Sequence, residues 1–231
     1  MTGPDAPFRL GCVPGVTPDK WARMWAERRP SVVLELSFAT TGEIVAGVRA
    51  EELDAGLVRL PIDRDGLHAI PLYTETTVVV VAKDHLLTAA EEVGTADLAD
   101  EVVLRPQDDT LPWPAERPGR PAVSDPATTG DAVELVAAGV GVLVVPLSLA
   151  RLHHRRDVTH RPMTDAPTSS VVLTWPDGAD AGNSDGMEEL IGIVRGRTAN
   201  TTRTPHRPEP RAARPARAPA RGPARRPRRR R

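Results

Sequence analysis

The sequence predicts an α/β fold made of two similar lobes, and three observations predict it. Short β-type runs alternate with helix-type stretches from residue 8 to residue 194, and the alternation comes as two similar sets. Each set is too short to stand as a domain by itself, so the two belong to one unit. The order of elements follows from residue pattern. Phe8 to Val13 reads as a strand, Pro18 to Arg29 as a helix with Trp21, Met24 and Trp25 at i, i+3 and i+4, and Val32 to Phe38 as the next strand, which makes a βαβ unit. Gly42 to Leu53 gives a second helix with Ile44, Val45, Val48 and Leu53 toward one side, followed by a strand at Leu57 to Leu60 that ends at Pro61. Alternation of this kind predicts a mostly parallel sheet covered by helices.

Two more strands follow, near Ala69 to Tyr73 and Thr76 to Ala82. The second set then runs through a strand at Glu101 to Leu104, a helix at Asp131 to Ala138, a buried strand at Gly141 to Val145 and a short helix at Leu147 to His153. Strands near Val158 to Pro162 and Ser170 to Trp175 and a helix at Met187 to Val194 complete it. Two such lobes, Rossmann-like in pattern, leave a ligand cleft between them.

Charge divides the chain differently. The formal net charge of −1 conceals two opposite parts: fourteen of the 30 Lys and Arg residues, but only Glu209 of the 31 acids, lie in residues 195–231. That tail therefore carries +13 and residues 1–194 carry −14. Seven prolines among residues 205–227 and the near absence of large apolar side chains leave the tail unable to offset the entropy of ordering, so it is expected to be disordered. Arg221, Arg225, Arg226, Arg228, Arg229, Arg230 and Arg231 are its candidate nucleic-acid contacts. They would neutralise phosphates, but no aromatic accompanies them to stack on bases, so DNA or RNA binding would be nonspecific. The competing reading is a solvated appendage or neutralisation of the acidic body. Gly119-Arg120-Pro121, which has the core of a minor-groove hook, lies inside the body and reads as a turn.

The start of the chain lacks the basic stretch and apolar run of an export signal, and the apolar runs are only strand-length, so a cytoplasmic protein without membrane contact is expected. Cys12 is the only cysteine, which excludes a disulfide within the chain and fits a reducing compartment. The six histidines show neither metal-ligand spacing nor an acid partner, and Cys12 has no base partner. The expectation is a non-enzyme with no cofactor and no metal.

Two segments carry a family resemblance. Gly42-Glu43-Ile44-Val45 through Glu52-Leu53-Asp54-Ala55-Gly56-Leu57-Val58, and Leu135-Val136-Ala137-Ala138-Gly139-Val140-Gly141 through Val145-Pro146, resemble in order and spacing the effector-binding domain of LysR-type transcriptional regulators. The resemblance covers roughly Phe8 to Val194. It implies a periplasmic-binding-protein-like fold of type 2, with two lobes joined by crossing strands near Val80 to His85 and Thr159 to Met163. On that basis residues 1–7 form a short arm. Lobe I takes about 8–82 and 163–194, lobe II about 86–159, and the tail 195–231. Lys83-Asp84-His85 resembles a family turn in which Leu86 replaces proline. Only Met1 to Pro7 precede the first strand, where the family places a winged helix-turn-helix domain and a linker helix. The expectation from these residues is a body without its own DNA reader, so operator recognition by a helix in the major groove is not carried over.

An effector would be met by Gly-containing turns that expose backbone N–H groups at helix starts, which favour carboxylates or phosphates. Gly15, Val16 and Thr17 before the first helix, and Thr40, Thr41 and Gly42 at the second, resemble family contact positions. Leu60 and Pro61 at a strand end, and Ser124, Thr128 and Thr129 in the second lobe, complete the candidates. Each has a plainer role: the threonines as helix caps, with Thr40 three residues before Glu43 as in a capping box, and Pro61 as a strand terminator. The sequence thus points to a non-enzymatic sensor of an acidic small molecule. It would act in regulation, as a homodimer paired through the Trp21, Met24 and Trp25 stripe or with a partner that supplies a DNA reader. The alternative is a nonspecific nucleic-acid-binding protein whose body is a dimerisation scaffold.

Overall fold

The computed structural model describes residues 6–114, 117–178 and 184–196. The arginines proposed as nucleic-acid contacts, and the disorder expected around them, lie outside those residues.

In the first lobe β1 (Phe8–Cys12) pairs in parallel with β2 (Leu34–Phe38) on one side and with β3 (Ala55–Arg59) on the other. Helix α1 (Asp19–Arg28) joins β1 to β2, and α2 (Thr41–Arg49) joins β2 to β3. Gly11 and Gly56 face each other across the β1–β3 ladder for a packing reason. A Cβ on Gly56 would lie 2.5 Å from Ile44 Cγ2 and one on Gly11 would lie 2.8 Å from Leu53 Cδ1, so α2 and its exit turn sit directly on bare backbone. Trp25 on α1 is 1% exposed, its ring centroid is 4.8 Å from that of Phe8, and its Nε1 donates to the Val32 carbonyl at 2.9 Å. Trp21 and Met24 are partly buried against the same core. The stripe read as a pairing surface is thus turned inward, because a helix this close to the sheet gains more by burying its tryptophan than by presenting it.

Helix α5 (Ser184–Val194) packs beside α1, where Arg28 Nη1 meets Glu189 Oε1 at 2.9 Å.

The chain leaves the first sheet through β4 (Leu67–Glu75) and enters the second through β5 (Thr77–Ala82). The second sheet adds β6 (Val102–Leu104), β7 (Arg120–Pro121), β8 (Val142–Pro146) and β9 (Val158–Pro162), with α3 (Thr129–Ala137) and α4 (Leu147–Leu152) on one face. β10 (Ser169–Pro176) then returns to the first sheet. The strand orders match: β2-β1-β3-β10-β4 in one lobe and β7-β6-β8-β5-β9 in the other. Both sheets are mixed, which corrects the mostly parallel expectation. In each, the strand arriving from the other lobe, β10 or β5, runs antiparallel to both neighbours. Pro71 is accommodated because β4 is an edge strand, with a register shift in its pairing to β10.

The first crossing lies at Thr76, earlier than Val80 to His85, because β5 pairs with β8 and β9 along its length. Lobe I therefore ends at β4 and not near residue 82. Lys83 to His85 instead form the turn after β5, with the His85 ring accepting from the Leu87 N–H. The second crossing occupies residues 163–168. The two connections touch: the Met163 N–H donates to the Thr77 carbonyl at 3.0 Å, and the Thr77 hydroxyl donates to the Pro167 carbonyl at 2.6 Å. Gly119 does turn the chain, with φ of 74°, but Arg120 and Pro121 continue as the two-residue edge strand β7 beside β6.

Candidate functional site

A cleft of about 950 Å³ opens between the lobes. Its lobe I wall is the β1–α1 turn from Pro14 to Asp19, Phe38 at the end of β2, and Tyr73, Thr74 and Glu75 at the end of β4. Thr76 of the crossing lines it too, and α4 contributes Leu147, Ser148, Arg151 and Leu152 from lobe II. The volume falls in the range of small-molecule sites, which are mainly apolar with a few directed polar groups. Here Val16, Phe38, Tyr73, Leu147 and Leu152 supply the apolar part. Burial, and then the nearby Glu75 charge, push the Tyr73 phenol upward, so it is a neutral hydroxyl at ordinary pH.

Beneath the cleft lies a buried ion pair. Arg59, the last residue of β3 and only 2% exposed, donates from Nε to Glu75 Oε2 at 2.9 Å. Its Nη1 donates to the Pro14 carbonyl at 2.8 Å, and its Nη2 to Ser148 Oγ at 2.9 Å. One guanidinium thus holds the lobe I turn, the strand end before the crossing, and the lobe II helix. Gly15 is required beside it: φ is 87°, and a Cβ would approach Ser148 Oγ to 2.8 Å and Arg59 Nη2 to 3.1 Å. Glu75 neutralises Arg59, and the cation in the cleft lining is Arg151, which has no carboxylate partner among the described residues.

Of the residues singled out in the sequence, the cleft brings together Gly15, Val16 and Thr17. The others lie elsewhere. Thr40 caps α2, its hydroxyl accepting from the Glu43 N–H at 3.3 Å while Glu43 Oε2 accepts from the Thr40 N–H at 2.8 Å. Donation to this carboxylate from the Thr40 N–H, and then from the Thr40 hydroxyl at 2.7 Å, holds the Glu43 carboxyl below the usual range. Thr41 and Gly42 occupy the first turn of α2, outside the cleft lining. Leu60 packs on the lobe I core, and its N–H donates to the Ser170 carbonyl; the peptide to exposed Pro61 is cis. Ser124 is exposed, Thr128 caps α3 through Asp131, and buried Thr129 donates to Asp108 Oδ1 at 2.9 Å. Arg59, Glu75 and Ser148 were not foreseen. Arginine inside the apolar run Leu57 to Leu60 was the available signal, since a buried cation requires a partner.

Cys12 is buried within β1, and burial alone pushes its thiol up to about 12. Among the described residues no group of three metal-ligating side chains comes together, and no helix is long and apolar enough to cross a membrane.

A two-lobe body with paired crossing strands and an interlobe cleft matches a known family over nearly its whole length: a model described as the LysR substrate binding domain covers residues 2–198. The chain belongs to the LysR substrate-binding domain family. A probable hydrogen peroxide-inducible genes activator of Mycobacterium avium is 28% identical over 200 residues, covering 82% of this chain and 64% of that protein. The chain thus spans less than two thirds of that relative's length. The Hca operon transcriptional activator HcaR of Escherichia coli K12 is 26% identical, covering 86% of this chain and 70% of that one. Two solved structures share the fold. The reduced form of OxyR has a TM-score of 0.68 at 23% identity, over 84% of this chain and 96% of that one. The BenM effector binding domain with its effector benzoate has a TM-score of 0.69 at 19% identity, over 84% and 92%. By name, the Mycobacterium avium and Escherichia coli relatives are activators of genes or of an operon.

Proposed function

We propose that this LysR domain senses a small organic acid by binding it reversibly in the interlobe cleft, and that the change in lobe arrangement on binding is the regulatory signal. The carrying observation is the cleft itself: apolar walls from both lobes, the Thr17 hydroxyl, and Arg151 as the cation without a carboxylate partner. Arg59 cannot serve as that cation because Glu75 already neutralises it. Reversible binding is favoured over thiol oxidation, although several relatives are named for peroxide. A thiol titrating at about 12 in a buried strand is not a thiolate, and the thiolate is the reactive form.

Thermal-shift screening of the full chain against small aromatic and aliphatic carboxylates, benzoate included, tests this. An acid that binds should raise the melting temperature with dose, and Arg151→Ala should weaken it by roughly tenfold or more, the scale of a lost charged hydrogen bond. Equal affinity in the variant would remove Arg151 from the site. The basic tail supports a second element of the proposal, nonspecific contact of its arginines with nucleic-acid phosphates, which the acidic body by itself would repel.

A further inference from the structure

The polar bridge at the base of the cleft links the lobes in a way that the cleft lining alone does not reveal. We propose that Arg59 is an interlobe latch: fixed by Glu75 and the Pro14 carbonyl on the lobe I side, it holds Ser148 of lobe II and so sets the spacing of the two cleft walls before any effector arrives. The proposal concerns the ligand-free protein and rests on the cleft reading only for its consequence, that effector binding works against or with this contact.

Three observations support it. The guanidinium is buried and each of its three nitrogens donates a hydrogen bond, two of them to lobe I, so it is not free to follow α4 if the lobes move. The lobe I partners include a full carboxylate, whereas the lobe II partner is one neutral hydroxyl, so the bond that crosses between lobes is weaker than the ion pair that anchors Arg59 in lobe I. Gly15 leaves no side chain between the guanidinium and Ser148, where a Cβ would crowd both. Opening would break one hydrogen bond and leave the buried ion pair intact, which suits a contact that must be made and unmade. Arg59 is therefore a positioning residue. It acts on the cleft through Pro14 and Gly15 on one wall and Ser148 on the other.

The test uses the full chain without ligand. Spin labels at Ala46→Cys, an exposed position of α2, and at Ala138→Cys after α3, in a Cys12→Ala background, report the distance between lobes by pulsed electron resonance. Ser148→Ala keeps a good helix former and removes only the crossing bond. It should broaden the distribution and raise the open-to-closed ratio by roughly tenfold to a hundredfold, while melting stays cooperative. Glu75→Gln, which loosens Arg59 from below, should shift the same distribution, and the double variant should move it less than the sum of the two because both act through Arg59. An unchanged distribution in Ser148→Ala, or strict additivity in the double variant, overturns the latch. A failed effector screen would leave this outcome unaffected.

Discussion

Single residues here show how one side chain type takes different roles by position. Thr17 lines the cleft, whereas Thr40 and Thr128 occupy caps and Thr129 is buried against Asp108. A threonine ahead of a helix satisfies orphan N–H groups whether or not a ligand is near, so the residue type alone cannot separate the two uses. Cys12 gives a pH prediction with a definite sign. Its folded value of about 12 lies above the ordinary value of about 9, so the stability it permits is fully present below pH of about 9 and is lost as pH rises toward 12, where the unfolded chain ionises and the folded one resists. Cys12→Ala should therefore flatten the alkaline limb of the melting curve between those values relative to the parent protein. Parallel limbs would show that other groups govern alkaline unfolding.

At the scale of elements, β2 is one edge of the first sheet, and apolar side chains on and beside it stay partly exposed. Val33 just before it is 65% exposed, Leu36 37% and Phe38 60%. An edge of this kind is open to pairing with a second copy, so the prediction for self-association moves from the inward-facing Trp25 to β2. Val33→Asp with Leu36→Asp should yield a smaller, folded species in sedimentation, and unchanged mass would remove the β2 interface. Element types and order were legible in the sequence, because period-2 and period-3.6 patterns survive wherever one face is buried; α2, β3 and β8 are examples. The direction of β5 and β10 was not, because a run of valines reads identically in either sense. Nor was the crossing at Thr76, which is set by which sheet β5 joins. Phe38, Tyr73 and α4 were missed as cleft walls because their meeting depends on that crossing, whereas the turn at Gly15 announced itself by glycine next to a helix start.

For the whole molecule the electrostatic split yields a separable prediction. Removing residues 198–231 should abolish most binding to duplex DNA, and binding by the intact chain should fall steeply with salt as counterions are released. Melting of the body should not change, since a chain so poor in large apolar groups contributes little packing. Equal DNA affinity of truncated and intact proteins would assign the tail another role. The strand orders also dictate a schedule for synthesis. Lobe II is drawn from the uninterrupted stretch between Thr77 and Pro162, so every strand of its sheet has been made once Pro162 has left the ribosome. Lobe I starts first yet finishes last: β10 fits between β3 and β4, and until Pro176 emerges β4 has no neighbour to hold it against the rest of its sheet. The nascent chain therefore carries an unfinished first lobe, with a strand-wide gap, through the time in which the second lobe is completed.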